Sequence, residues 1–246
     1  MAALETITYA FFAGLFPALI WLWFWLHEDK KNPEPRSTLA FTFIVGMAMI
    51  FLAIPLEGYF QKVFADSVAS SSILILIWAA IEEILKFTAV FIAALHVKAY
   101  DEPLDAVIYM MCAALGFAAL ENTLFILNNS ATITLGTGSG ALATVFLTNL
   151  RFIGANLLHV VASSTVGITL AWSFYKPIKE KVLWAIVGIY VAVMLHTLFN
   201  LFIMNGSNKD IFLVFSAVWI VMIGFILIFE KIKKMSTPIV QQITQQ

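Results

Sequence analysis

Charge and cysteine are the scarce ingredients of this sequence. Only 12% of its 246 residues are Asp, Glu, Lys or Arg, about half the share of a soluble domain. That excludes a soluble globule of this length. A net charge of -1, with the basic residues scattered at the ends of apolar runs, excludes a nucleic-acid footprint, and no nucleic-acid partner is expected. The single cysteine, Cys112, excludes an intramolecular disulfide and a cysteine-rich metal site. The alternating short segments of a membrane β-barrel are missing, and so is any internal repeat. No G-x-S-x-G, no H-E-x-x-H and no placed cysteine nucleophile occurs, which argues against serine or cysteine nucleophilic catalysis. No CaaX end or myristoylation start is present. No basic region precedes the first apolar run, which at about 20 residues is too long for a signal-peptide core and reads as a retained span.

What is there is apolar length. Hydrophobic residues make up 61% of the chain, and the mean hydropathy is +0.93. Seven runs are long enough to cross a bilayer: 7–26, 39–56, 73–95, 104–127, 141–172, 182–204 and 211–229. The fold class is an all-α polytopic membrane protein with about seven transmembrane helices, forming one integral-membrane domain over 1–246. The fifth run exceeds what a bilayer needs, so it tilts, kinks or projects. Residues 136–140, rich in Gly and Ser, read as a flexible outer loop, 27–36 as a charged inner loop, and 236–246 as a polar tail.

Lysine and arginine sort by connection. Lys30, Lys31, Arg36, Lys98, Lys176, Lys179, Lys181, Lys231, Lys233 and Lys234 fall on one side, and only Lys62 and Lys209 on the other. The positive-inside rule then places the N-terminus outside and the C-terminus in the cytoplasm.

Five formal charges interrupt the apolar runs: Glu82, Glu83, Lys86, Glu121 and Arg151, joined by His159 and His196. On lipid-facing positions five charges would cost on the order of 12–17 kcal/mol, comparable to the stability of a whole protein. They must face inward. The helical rise puts them at similar depth, biased to the outer side, which predicts one shared cavity. Lys86 lies three and four residues from the paired glutamates and can meet either. His196 and Asn200 share a helix face. Asn149, Asn156, His159 and Ser163 form a polar stripe, with Arg151 off it as a neutralising charge.

Adjacent carboxylates in a low-dielectric site do not both ionise easily, so one of Glu82 and Glu83 suits a general base. His and Asn donors on one face suit an oxyanion. Water activated in a buried cavity makes a hydrolase coherent. Metal binding by Glu83, Glu121, His159 and His196 is the competing chemistry, with Lys86 competing against a cation. A proton-coupled transporter would use similar carboxylates, but the absence of repeats and paired broken helices counts against it.

Glu82-Glu83-Ile84-Leu85-Lys86, Asp101-Glu102-Pro103-Leu104-Asp105 and Gly116-Phe117-Ala118-Ala119-Leu120-Glu121-Asn122 together resemble the PrsW family. These are intramembrane proteases related to the type II CAAX prenyl endopeptidases. The resemblance covers residues 73–200 and implies a catalytic core of about 73–204. It implies Glu82 or Glu83 as the base, His196 with Asn200 at the oxyanion, and His159 as the intervening histidine. The endopeptidases carry F-x-x-x-H after the glutamate pair. Here the spacing reads Phe117-x-x-x-Glu121, so His159 or Glu121 itself completes the base side. The catalytic set is thus Glu82, Glu83, Lys86, Glu121, His159, His196 and Asn200, with no cofactor expected. The implied activity is a glutamic-type endopeptidase of a prokaryotic cell membrane. The implied partner is a membrane-anchored protein substrate, such as an anti-sigma factor cut first on its extracytoplasmic side. A non-proteolytic membrane scaffold is the alternative from the same superfamily.

The topology has a direct check. In a Cys112→Ala background, Thr137→Cys reacts with a membrane-impermeant maleimide on intact cells, and Ser236→Cys reacts only after permeabilisation. The reverse pattern would overturn the orientation.

Overall fold

Residues 2–28, 32–64, 70–135, 139–205 and 208–235 are described by the structure, a computed structural model. Among them helix is the one regular element: α1 Ala2–Glu28, α2 Arg36–Ala48, α3 Ile50–Val63, α4 Ser70–Ala93, α5 Pro103–Leu135, α6 Ser139–Trp172, α7 Ile178–Asn205 and α8 Asn208–Met235. α2 and α3 meet at Met49 and share one apolar run, Arg36–Val63. The described helices therefore form seven rods, one for each expected span. Helices suit such a sequence because every backbone N–H and C=O is satisfied within the segment.

Among the described residues five runs are long and apolar enough to cross a membrane: Leu4–His27, Arg36–Val63, Pro103–Asn128, Gly154–Trp172 and Ile178–Leu201. The protein is a multi-pass membrane protein. α4 carries Glu82, Glu83 and Lys86 along its middle, which keeps it outside that group. The second run extends further than the sequence pattern suggests. It was expected to stop at 56, yet α3 continues to Val63 and takes Glu57 and Lys62 into the helix. Apolar Tyr59, Phe60 and Val63 flank these charges, so the helix has no reason to stop at the first of them. Of the expected outer loop, 136–138 lie outside the described residues, as does the tail 236–246, while Ser139 and Gly140 already belong to α6.

α5 is the central helix. Its run Pro103–Asn128 is 94% buried, against 17% for the α1 run, whose Phe12, Phe16 and Trp23 point outward. α5 packs against α6, α1, α2 and α4. Apolar side chains cannot drive helices together in lipid, so close packing has to. Two glycines permit it on the α2 side. A Cβ on Gly116 would strike the backbone carbonyl oxygen of Phe43, and a Cβ on Gly46 would strike that of Ala113.

The start of α5 explains the D-E-P-L-D motif. Pro103 opens the helix, where a missing N–H costs nothing. Asp105 Oδ2 reaches back to accept the backbone N–H groups of Asp101 (2.8 Å) and Glu102 (2.7 Å), in the manner of a capping box. One turn on, the Tyr109 hydroxyl donates to Glu34 Oε2 and ties the segment before α2 to the central helix. Burial pushes the Glu34 carboxyl above its ordinary range, and the Tyr109 hydrogen bond partly opposes that. Cys112 is buried and donates to the Leu39 carbonyl at 3.1 Å, a packing role.

Substituting Gly116→Val forces α2 away from α5. Overpacking of this kind costs about 1–3 kcal/mol. Thermal unfolding of the purified protein in detergent should show a lowered Tm, and an unchanged Tm would contradict the backbone contact.

Candidate active site

Of the polar residues predicted to share a cavity, Glu82, Glu121, His159, His196 and Asn200 line one, Glu83 and Lys86 are buried behind it, and Lys86 is the hub. Its ammonium is fully buried. It donates to Glu83 Oε1 (2.7 Å), Glu82 Oε2 (3.2 Å) and His159 Nδ1 (2.7 Å). Three N–H groups thus meet three acceptors. The ring of Phe117 lies 4.7 Å from the same nitrogen. The 82–83–86 spacing puts both carboxylates beside the amine on one face of α4, while α6 brings the histidine.

The adjacent glutamates differ completely in role. Glu83 is wholly buried and saturated. Its Oε1 accepts from Lys86 and lies 2.9 Å from His196 Nδ1, and its Oε2 accepts from the Ser163 hydroxyl at 2.7 Å. It therefore bolts α4 to α6 and α7. Glu82 has a single close partner in Lys86 and lines the cavity.

The bonds assign the imidazole tautomers. Lys86 has no acceptor, so His159 Nδ1 accepts, and the neutral ring carries its proton on Nε2, 2.8 Å from Glu121 Oε2. His196 Nδ1–H faces Glu83, which leaves the Nε2 lone pair 3.9 Å from Glu82 Oε2. The two rings meet edge to face at 5.2 Å between centroids. As a neutral ring His196 offers an acceptor at Nε2; it donates to an oxyanion only when protonated. Asn200 lines the same cavity and carries an amide donor in either case.

The cavity has two lobes that share Glu57, Glu82 and Glu121. One, of about 310 Å³, holds Trp78, His159, His196 and Asn200. The other, of about 450 Å³, is walled by Ile50, Ala53, Ile54, Phe117, Leu124 and Phe125, with Asn128 beside them.

Glu57 is the residue the sequence reading missed. It lies one position past the expected end of the second span and reads there as a loop charge. The signal was its place in a run whose apolar character resumes at Tyr59. The cavity wall consequently begins on α3, before the expected core of 73–204. Ser163 stood in the predicted polar stripe, but its bond to Glu83 depends on the rotation of α6 and was not legible. The side chains of Arg151 and Asn149 lie outside what is described.

Glu82, His159 and His196 each offer one ligand atom within 4.8 Å of the others. Two imidazoles and a carboxylate are donors that suit zinc, and an ion there would take the His159 Nδ1 lone pair in place of the Lys86 ammonium that now holds it. This donor set differs from the ligand set expected from sequence: Glu83 is committed to Lys86, Ser163 and His196, and Glu121 sits behind His159 as its charge partner. That is the outer-partner arrangement common around metal-ligating histidines.

Removing the hub leaves buried carboxylates without a cation. Lys86→Met should destabilise the protein by about 3–5 kcal/mol, read by denaturant unfolding in detergent. Near-wild-type stability would show that the carboxylates do not depend on this ammonium.

A family model described as PrsW family intramembrane metalloprotease matches residues 34–228. The chain is similar to the protease PrsW of three bacteria. It is 28% identical to that of Geobacillus kaustophilus over 123 residues, covering 48% of this chain and 52% of that protein, so the match spans about half of that relative. It is 23% identical to that of Halalkalibacterium halodurans over 81% of this chain and 86% of the relative. It is 25% identical to that of Clostridioides difficile over 79% of each. No solved structure matches the chain. The matched region runs from the segment before α2 into α8 and encloses every residue of this cavity, and the chain belongs to the PrsW family of intramembrane proteases.

Proposed function

We propose that this protein cuts a peptide bond of a membrane-anchored protein within the cell membrane of a prokaryote, with water activated at Glu82. The observation carrying the reading is the division of labour in the glutamate pair. Glu83 is locked by three partners, while Glu82 faces both lobes of the cavity. Water held against Glu82 Oε2 gives up a proton to that carboxylate and attacks the scissile carbonyl, and the C–N bond then breaks as Glu82 returns the proton to the leaving amine. Lys86 keeps Glu82 in register and offsets the charge beside it. The Asn200 amide, with His196 once it is protonated, steadies the oxyanion. Glu83 holds the His196 ring and stabilises its charged form, as the carboxylate of a catalytic triad does. Glu121 fixes His159 on the opposite wall.

The second reading is metal-assisted hydrolysis at the same place, favoured by the convergence of Glu82, His159 and His196 and by the family's description. Those three residues would hold the ion, which would lower the pKa of bound water and polarise the carbonyl. Under either reading the substrate class is a single-span membrane protein cut on its extracytoplasmic side. An anti-sigma factor fits that class, and the outward bias from the lysine and arginine sorting supports it.

The test is cleavage of a panel of single-span type I and type II membrane proteins by purified protein in detergent. Glu82→Gln should lower cleavage by about 100-fold or more, the usual weight of a positioned base. Retained activity in Glu82→Gln would overturn the assignment. Activity that survives a strong chelator supports the glutamate reading. Activity abolished by chelator and restored by zinc transfers Glu82, His159 and His196 to the role of ligands. A folded wild type that cuts nothing favours the scaffold.

A further inference from the structure

The function read above leaves Glu57 without a task. It is half-buried on α3 and belongs to both lobes of the cavity. Its backbone is anchored, since the Trp78 indole N–H donates to the Glu57 carbonyl at 3.4 Å. Trp78 sits one turn before Glu82 on α4, so the bond sets α3 against the helix that carries the proposed base.

Its charge is unanswered. Lys86 spends all three N–H groups on Glu82, Glu83 and His159. Glu121 has His159 at 2.8 Å. Among the described residues no cationic side chain pairs with Glu57. A carboxylate facing a cavity that it shares with Glu82 and Glu121 in a membrane protein is costly without a cation or water. The larger lobe beside it has space and walls of a particular kind. About 450 Å³ is lined by Ile50, Ala53, Ile54, Phe117, Leu124 and Phe125 and ends at carboxylates. An aliphatic stem lies along those walls, and a cationic head meets Glu57. Lysine and arginine have that shape, with apolar methylenes under a charged tip.

We propose that Glu57 is a specificity-determining residue that receives a lysine or arginine side chain of the substrate next to the scissile bond, with its stem in the α3–α5 lobe. This rests on the proposed proteolysis at Glu82. The two lobes share Glu57, Glu82 and Glu121 as lining residues, so a peptide bond at Glu82 leaves a neighbouring side chain beside this lobe. A substrate with an acidic residue there meets three carboxylates and is rejected by repulsion, a discrimination that needs no extra contact.

The experiment takes the membrane protein that wild type cuts in the panel above. Each of the three positions on either side of the cut is changed to Lys, Ala or Glu, and kcat/KM is measured with the full-length protease in detergent. At one position the Lys substrate should exceed the Glu substrate by about tenfold or more, the scale of one well-placed charge pair. Glu57→Gln should flatten that preference, and Glu57→Lys should reverse it. The reversal is a gain toward the Glu substrate, which a misfolded variant cannot produce. Wild type that cuts without preference at all six positions overturns the inference and leaves the proteolytic reading standing. A preference retained in Glu57→Gln overturns it as well. Absence of any cutting by wild type removes both.

Discussion

The Lys86 ammonium brings three N–H groups into a place without solvent, and each must find an acceptor. It finds Glu82 and Glu83 on its own helix and His159 on α6. An unsatisfied buried charge is among the costliest defects a fold can carry. Consequently α4 and α6 must stay in register. The same condition extends outward: Glu83, held by Lys86, accepts from Ser163 and meets His196 of α7, and His159 reaches Glu121 of α5. One amine thus propagates order through four helices. In lipid this matters more than in water, because apolar packing between helices gives little net driving force there.

The arrangement divides support from chemistry. The groups that hold the helices are saturated: Glu83 has three partners and Lys86 three acceptors. The groups that face the cavity keep spare capacity. Glu82 has an oxygen toward both lobes, His196 a lone pair and Asn200 an amide. A site built this way keeps its reactive atoms in place without consuming them. The excess of carboxylate over cation is what makes the cavity receptive to positive charge, whether as protons, a metal ion or a basic side chain of the substrate.

Glycine and proline place the frame around this centre. Gly116 and Gly46 bring α2 against α5 until backbone meets backbone. Pro103 and Asp105 start α5 cleanly at its buried end. Two of the motifs that carry the family resemblance therefore do packing and capping work, while Glu82 and Glu121 serve the cavity. A shared motif does not by itself mark a chemical role.

Sequence alone determined the membrane class, the seven rods and the convergence of Glu82, Glu83, Lys86, Glu121, His159 and His196. Helical spacing and the cost of charge in lipid leave those residues no outward position. It did not separate Glu82 from Glu83, because neighbours on a helix differ by about 100° of rotation, and the hydropathy of α4 does not say which direction faces α7. It missed Glu57, since a charge at the end of an apolar run reads as a boundary until the helix is seen to continue. It named Ser163 without its partner, for the same rotational reason. Tertiary structure decided these points: which carboxylate is locked, which one meets the cavity, and which outlying acid closes the wall. They depend on how helices are turned against one another, and that is fixed by backbone contacts and hydrogen bonds between residues 70 or more positions apart.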